Sequence, residues 1–224
     1  MLCRRSLKLV SQIPYRSFLY RGTSGWSVNT FFYIVGGGFQ NFKGLGISKL
    51  IRYAKEFGLG APLGVDLVGE RGGFLPSPEW KEDVKNERWY IGDTYHMAIG
   101  QGDLLVTPLQ LAVATSAFAN NGIIYKPHLV KIERSENGQV ENKITPMILN
   151  ENFISLDNLA VVRQGLRETV LYGSARAMNG IGVTVAGKTG TAQWSTTKDP
   201  HAWFTGFAPY NNPELVITVL IEEG

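Results

Sequence analysis

The chain has 224 residues, of which 44% are hydrophobic and 18% charged, so its composition indicates a folded globular protein and excludes a disordered one. Its net charge of +3 is unevenly distributed, because residues 1–55 contain nine Lys or Arg and no Asp or Glu. We therefore do not expect a uniformly basic surface of the kind that binds nucleic acid. The single cysteine, Cys3, cannot form an intramolecular disulfide.

The first 25 residues are rich in Arg and Ser. This composition is typical of an organelle transit peptide, and it also fits a disordered basic tail or a segment translated from a false start in a disrupted gene. We favour the last two interpretations and predict a basic segment over residues 1–25 and a domain over residues 26–224. No stretch of the sequence reaches the roughly 20 apolar residues that span a bilayer, so no membrane anchor is predicted within the chain.

The first half of the domain is predicted to contain two helices. Residues 44–57 have the apolar spacing of an amphipathic helix, and a short strand is expected at Gly64–Val68 within a loop rich in Gly and Pro. Thr107 and Gln110 have the spacing of a capping box, with a proline between them. A buried helix is therefore expected to begin there and to end at Ala119.

The second half is predicted to add a hairpin, a helix and two late strands. The hairpin turns at Asn137-Gly138, and the helix begins after Ser155, which is a favourable cap. Two apolar runs, Trp203–Ala208 and Leu215–Ile221, predict antiparallel strands at the end of the sequence. Central helices followed by antiparallel strands indicate an α+β fold in which helices pack on a sheet.

Lys188 lies in a segment that fits two different chemistries. Residues 182–189 match the phosphate-binding pattern G-x-x-x-x-G-K-[ST], which requires a strand before it and a helix after it. Neither flank fits that requirement, and the β-branched residues inside the segment favour extended backbone. The alternative is a strand over Val183–Ala186 with the triplet Lys188-Thr189-Gly190 at its edge.

A K-T-G triplet at a strand edge suits acyl transfer, as it does in serine acyl-transferases. Lys188 supplies a positive charge that can bind a carboxylate and assist proton movement. Gly190 allows a substrate backbone to approach the strand closely, and the amide of Thr191 can point at a developing oxyanion. An ordinary solvent-facing strand has the same pattern, so the triplet alone does not decide the function.

Further motifs occur in a fixed order around this triplet. They are Ser27-Val28-Asn29, Gly64-Val65-Asp66-Leu67, Leu75-Pro76-Ser77-Pro78-Glu79-Trp80, Gly100-Gln101-Gly102 with Thr107-Pro108-Leu109-Gln110, and His201 to Pro209. Taken alone, Ser27 is more typical of a helix cap. With the whole series, residues 26–224 resemble the transpeptidase domain of class B penicillin-binding proteins, and most closely the elongation-type penicillin-binding protein 2 subgroup.

The resemblance implies a penicillin-binding or serine β-lactamase-like fold and a peptidoglycan D,D-transpeptidase. In that family a serine attacks the D-Ala-D-Ala end of a stem peptide, releases D-alanine and passes the acyl group to an amine. By position, Ser27 would relay protons and Asn29 would hold the substrate amide. Lys188, Thr189 and Gly190 would bind the end of the peptide, and Thr191 would supply a hydroxyl contact and an oxyanion-hole amide.

The resemblance also implies ligands, partners and a location. The ligands would be stem peptides and β-lactams, and the partners would be membrane proteins of the elongation machinery. The domain would lie outside the cytoplasm at the bacterial cytoplasmic membrane. No cofactor, metal ion or nucleic acid is expected.

The sequence departs from the family at the nucleophile. No serine before Ser27 is followed by lysine three residues later, and the one S-x-x-K, Ser195 to Lys198, lies after K-T-G in a predicted loop. We therefore expect a domain incomplete at both ends, without the nucleophile segment and without the last strand and helix. Such a chain would perform no covalent chemistry alone. The alternatives are a non-catalytic relative that binds peptidoglycan peptides or proteins, and a P-loop nucleotidase.

Overall fold

Helices and antiparallel strands are largely segregated along the chain. The computed structural model describes Gly25 and residues 27–224. The helices are α1 (Asn29–Gly37), α2 (Ile47–Glu56), α3 (Pro78–Lys85), α4 (Ile91–Ala98), α5 (Pro108–Ala119) and α6 (Leu156–Leu171). The strands are β1 (Ile124–Tyr125), β2 (Ile132–Arg134), β3 (Val140–Lys143), β4 (Ile148–Asn150), β5 (Ala186–Ala192), β6 (His201–Ala208) and β7 (Leu215–Ile221). The architecture is α+β, as predicted.

The predicted start of α5 is confirmed in detail. The Gln110 amide N–H donates to the Thr107 hydroxyl at 3.1 Å, and the Thr107 N–H donates to the Gln110 side-chain oxygen at 3.1 Å. Gln110 is fully buried, and its side-chain nitrogen also donates to the carbonyls of Ala61 at 2.9 Å and Gly72 at 2.7 Å. One side chain therefore both caps the helix and holds the preceding loop.

The strand predicted at Gly64–Val68 is not formed, and the backbone there bonds to a side chain instead. The Glu70 carboxylate accepts from the N–H groups of Leu63 at 2.7 Å, Gly64 at 2.8 Å and Val65 at 3.2 Å. These donors are the ones that a neighbouring strand would need. A local carboxylate thus replaces the sheet partner.

Helices α1 and α4 pack so closely that neither Gly36 nor Gly37 of α1 has space for a side chain. A Cβ atom on Gly36 would overlap the Cβ of Ala98, and the Tyr95 hydroxyl donates to the Gly38 carbonyl at 2.8 Å. These contacts hold the last turn of α1 against α4. Both helices border the cleft described below.

Replacing Gly36 by alanine is expected to lower the free energy of unfolding by about 1–3 kcal/mol, because the added methyl group forces the two helices apart. Gly92 is a matched control, since it lies in α4 and a Cβ there meets no atom within 4 Å. Gly92→Ala should leave stability unchanged or raise it by up to about 1 kcal/mol. Urea unfolding of the two variants measures the difference, and equal effects would contradict close packing at Gly36.

Strands β5, β6 and β7 form an antiparallel sheet in that order, so among the described residues β5 has a partner strand on one side only. Lys188 pairs with Thr205, and Thr205 pairs with Thr218 on β7. The strand predicted at Val183–Ala186 is wrong in its bounds, because β5 begins at Ala186 and continues through K-T-G to Ala192. Thr184 lies outside the strand, and its carbonyl accepts from the N–H of Tyr210, in the turn after β6, at 2.9 Å.

A chain of hydroxyl groups attaches the sheet to α5. The Thr205 hydroxyl lies 2.8 Å from the Thr115 hydroxyl and 2.8 Å from the Thr218 hydroxyl, and Thr115 donates to the Leu111 carbonyl. The hydrophobic core lies in two clusters, one around Ile124 beneath α5 and one around Val170 between α6 and the sheet. In the part of the chain described here, no helix has the length and apolar character needed to cross a bilayer.

Candidate active site

A cleft of about 540 Å³ lies between the start of α1, the turn after α4 and strand β5. The structure brings all the predicted site residues to this one cleft. They are Ser27, Asn29, Lys188, Thr189, Gly190 and Thr191. Residues 27–29 and 188–191 are far apart in the sequence, so the fold creates a site that neither segment forms alone.

Ser27 and Asn29 line the wall formed by the start of α1. Val28, not Ser27, occupies the position that precedes the first helical residue, so the helix-cap interpretation of Ser27 is wrong in this structure. The Ser27 backbone has φ of 56°, in the left-handed region that non-glycine residues adopt at a cost of about 1–3 kcal/mol. Such strain is common where function fixes the direction of a side chain.

Lys188 lies on the opposite wall, half-buried, and its Nζ donates to the carbonyl of Thr189 at 2.7 Å. Burial lowers the pKa of the Lys188 ammonium from its ordinary 10.5, and no acid in the described part of the chain counteracts this shift. A partly desolvated cation without a carboxylate partner favours an incoming anion, which would restore the lost interaction.

Two residues of the cleft, Ser174 and Gln101, were not predicted as site residues. The Ser174 hydroxyl lies 2.6 Å from the Thr189 hydroxyl, and the Gln101 side-chain nitrogen donates to the Thr191 carbonyl at 2.9 Å. Ser174 follows α6 and belongs to no motif, so nothing in the sequence marked it. Gln101 stands between Gly100 and Gly102, a pattern that indicates a structural turn near the site more than a site residue.

The P-loop alternative is contradicted by the structure. Lys188 and Thr189 lie within β5, and this strand continues to Ala192 where a P-loop would begin a helix. The one S-x-x-K segment, Ser195 to Lys198, lies in a loop, as predicted. The Ser195 hydroxyl accepts from the N–H of Thr197 at 3.2 Å, while Lys198 pairs with Glu223 at 2.6 Å.

Within the described residues, no group of three His, Cys, Asp or Glu side chains could hold a metal ion.

Residues 13–224 match the family model described as the penicillin binding protein transpeptidase domain. The chain belongs to this family. The transpeptidase domain is 35% identical over 218 residues to the peptidoglycan D,D-transpeptidase MrdA of Haemophilus influenzae. The aligned region covers 88% of this chain and 32% of the Haemophilus protein. It therefore spans about a third of the length of the curated relatives it matches.

Solved structures of penicillin-binding proteins share the fold. PBP2 of Helicobacter pylori, solved in complex with MreC, matches with a TM-score of 0.76 and 34% identity over 92% of this chain and 36% of that chain. PBP2 of Pseudomonas aeruginosa, solved in complex with WCK 5153, matches with a TM-score of 0.75 and 34% identity. That match covers 92% of this chain and 43% of the Pseudomonas chain. These similarities confirm the predicted fold and the predicted resemblance to the PBP2 subgroup.

The family match begins at residue 13, upstream of the boundary at residue 26 that the motifs indicated. The division of the chain into residues 1–25 and 26–224 stays a prediction. Residues 1–24 and Trp26 lie outside the described residues, so the structure does not address it.

Proposed function

We propose that the transpeptidase domain binds the D-Ala-D-Ala ends of peptidoglycan stem peptides in the cleft between α1 and β5, and that it forms this part of a D,D-transpeptidase active site. The observation that carries the proposal is the partly desolvated Lys188 ammonium beside the hydroxyls of Thr189 and Ser174. Ammonium and hydroxyl groups together recognise a carboxylate through charge-assisted hydrogen bonds. The terminal carboxylate of the peptide is the ligand group that fits them.

The open edge of β5 supplies the second part of the proposed binding mode. An extended peptide can pair with a strand edge through main-chain hydrogen bonds, and Gly190 leaves room for its backbone. Asn29 on the opposite wall would bind the peptide amide. With the peptide held there, the Thr191 N–H would stabilise the oxyanion that forms when the carbonyl carbon is attacked.

In the family reaction, the bond between a serine oxygen and the peptide carbonyl carbon forms as the bond to the terminal D-alanine nitrogen breaks. Ser27 would pass a proton to that leaving amine.

The serines that precede Ser27 lack the lysine three residues later, and Ser195 lies in the β5–β6 loop. We therefore propose that this chain alone binds peptides and β-lactams without forming a covalent acyl-enzyme. Intact-mass measurement after incubation with benzylpenicillin should show the unmodified mass, and an increase by one penicillin would contradict this.

Calorimetry with an acetylated tripeptide that ends in D-Ala-D-Ala, hereafter the probe peptide, tests the binding proposal. We expect saturable binding, and affinity roughly 10- to 100-fold lower for the C-terminal amide form, because the amide loses charge-assisted bonds. Equal affinity for the acid and the amide, or no binding of either, would contradict the proposed function.

Replacing Ser174 by alanine is expected to weaken binding of the probe peptide by roughly 2- to 10-fold, the range for one hydrogen bond. The Ser174 hydroxyl lies 2.6 Å from that of Thr189, so one of the two protons stays available for a carboxylate. Ser174→Thr keeps a hydroxyl and should retain most of the affinity. Ser135→Ala, in the exposed β2–β3 hairpin, is the matched control. An equal loss of affinity in the Ser174→Thr variant would show that the Ser174 hydroxyl does not bind the carboxylate.

We also propose a partner and a location for the protein that carries this domain. The Helicobacter pylori PBP2 that shares its fold was solved in complex with MreC. By that similarity, the protein would act with membrane proteins of the elongation machinery on the outer side of the cytoplasmic membrane. Co-purification with the MreC of the same organism tests this assignment, and its failure at micromolar concentrations would count against it.

A further inference from the structure

The edge of β5 that pairs with no strand in the described part of the chain carries two carbonyl groups that are already hydrogen-bonded to side chains. In an antiparallel strand, alternate residues direct their backbone groups toward the partner strand and away from it. The Thr189 carbonyl accepts from the Lys188 ammonium, and the Thr191 carbonyl accepts from the Gln101 side chain. These two residues are two apart, so both carbonyls face the cleft rather than β6.

The Gln101 side chain reaches β5 from the opposite wall of the cleft. Gly100 and Gly102 have φ of 75° and 80°, and the Gln101 N–H donates to the His96 carbonyl at 2.9 Å. The turn after α4 is thereby fixed, with the glutamine side chain directed across the cleft to the Thr191 carbonyl at 2.9 Å. The contact joins residues 90 positions apart in the sequence.

We propose that Gln101 is a specificity-determining residue, which occupies the Thr191 carbonyl until a ligand brings its own backbone N–H to that position. This inference rests on the proposed peptide-binding function. The exchange is balanced, because one hydrogen bond to the carbonyl breaks and another forms. The released carboxamide lies at an exposed position where water can solvate it.

The competition makes the strand edge selective for one kind of ligand. A peptide with an N–H group at the right position gains a bond to Thr191 but must break the bond to Gln101. A ligand with a substituted amide there gains nothing from Thr191, and Gln101 keeps its bond. Removal of the Gln101 carboxamide should therefore raise affinity for the peptide with the N–H group. It should leave affinity for the ligand with the substituted amide unchanged.

Affinity measurements on the Gln101→Ala variant test this proposal. The variant should bind the probe peptide roughly 2- to 10-fold more tightly than the unmodified chain, because the competing hydrogen bond is gone. The probe peptide is also prepared with each backbone amide methylated in turn. For the peptide methylated at the amide that meets Thr191, the unmodified chain and the variant should have equal affinities.

Further variants separate competition from a loss of structure. Gln101→Met keeps the length of the side chain without a donor and should reproduce the gain. Gln139→Ala, in the exposed β2–β3 hairpin, should change nothing. Weaker binding by both Gln101 variants would show that Gln101 supports the site instead, and a gain for every methylated peptide would show non-specific opening, so either result overturns the proposal. Absence of peptide binding by the unmodified chain would instead contradict the proposed function itself.

Discussion

Replacing Lys188 by methionine is expected to lower affinity for the probe peptide by roughly 10- to 100-fold, the largest change expected for any residue of the cleft. The methionine side chain preserves much of the apolar stem but removes the cation that faces the carboxylate. Affinity for the C-terminal amide form should change much less. Calorimetry with both peptides measures this difference directly.

An exposed lysine provides the matched control for this substitution. Lys143→Met lies at the end of β3, in the hairpin, and should leave affinity for either peptide unchanged. If Lys188→Met lowered affinity for the acid and the amide equally, Lys188 would support the shape of the cleft and would not bind the carboxylate.

The lowered pKa of Lys188 adds a pH dependence with a defined sign. Burial makes the ammonium lose its proton below the ordinary value of 10.5, so probe-peptide affinity should decline as the pH rises through that lowered pKa. In the same window the unfolded chain binds more protons at this residue than the folded chain. The free energy of unfolding should therefore increase as the pH rises toward 10.5, because the cost of burying the Lys188 charge is lost. Lys188→Met should show neither trend.

Replacing Phe207 by alanine is expected to lower the free energy of unfolding by about 3–5 kcal/mol, the range for truncation of a buried aromatic residue. Phe207 is 1% exposed, and its ring lies 6.4 Å from the Tyr210 ring. The Arg163 guanidinium contacts both rings, at 5.0 Å from Phe207 and 5.4 Å from Tyr210. Its backbone pairs with Ala186, the first residue of β5. The cavity would therefore lie at the start of the strand that carries K-T-G.

Urea unfolding measures this loss, with Phe39→Ala as the matched control. Phe39 is 58% exposed, so its truncation removes little buried surface and should cost less than about 1 kcal/mol. The Phe207 variant should also bind the probe peptide more weakly if β5 loosens at its start. Similar stability losses for the two variants would contradict the assignment of Phe207 to the core.

Elements whose signals are local could be predicted from the sequence. Thr107 and Gln110 lie three residues apart and satisfy each other's backbone, so the start of α5 needs no distant contact. Ser155 begins α6 in the same way, by accepting from the Asn158 N–H at 3.4 Å. The hairpin β2–β3 forms around the predicted turn.

Elements that depend on distant contacts were missed. Helix α1 includes Gly36 and Gly37, which resemble a stop signal, because α4 packs where their side chains would lie. Helices α3 and α4 are short, and a buried lysine joins them. The Lys81 ammonium bonds to both carboxylate oxygens of Asp93, at 2.9 Å and 2.8 Å. Neither the close approach nor this ion pair is visible in a local pattern.

The same distinction holds for the candidate site. The residues in motifs, Ser27 and Asn29 on one wall and Lys188 to Thr191 on the other, could be identified because their order resembles a family. Ser174 could not, and the Gly100-Gln101-Gly102 motif indicated Gln101 only as part of a turn near the site. The importance of both residues lies in bonds to Thr189 and Thr191 across 15 and 90 positions of the sequence. Such bonds exist only after the walls of the cleft have come together.

Titration of the isotope-labelled chain with the probe peptide, followed by backbone amide NMR, tests directly whether the cleft between α1 and β5 binds the peptide. We expect saturable shift changes concentrated at Ser27 to Asn29, Ser174 and Lys188 to Thr191, with none in the β2–β3 hairpin. The C-terminal amide form should cause much smaller changes at the same concentrations. Shift changes centred away from this cleft, or none at millimolar peptide, would contradict the claim that the cleft between α1 and β5 binds stem-peptide ends.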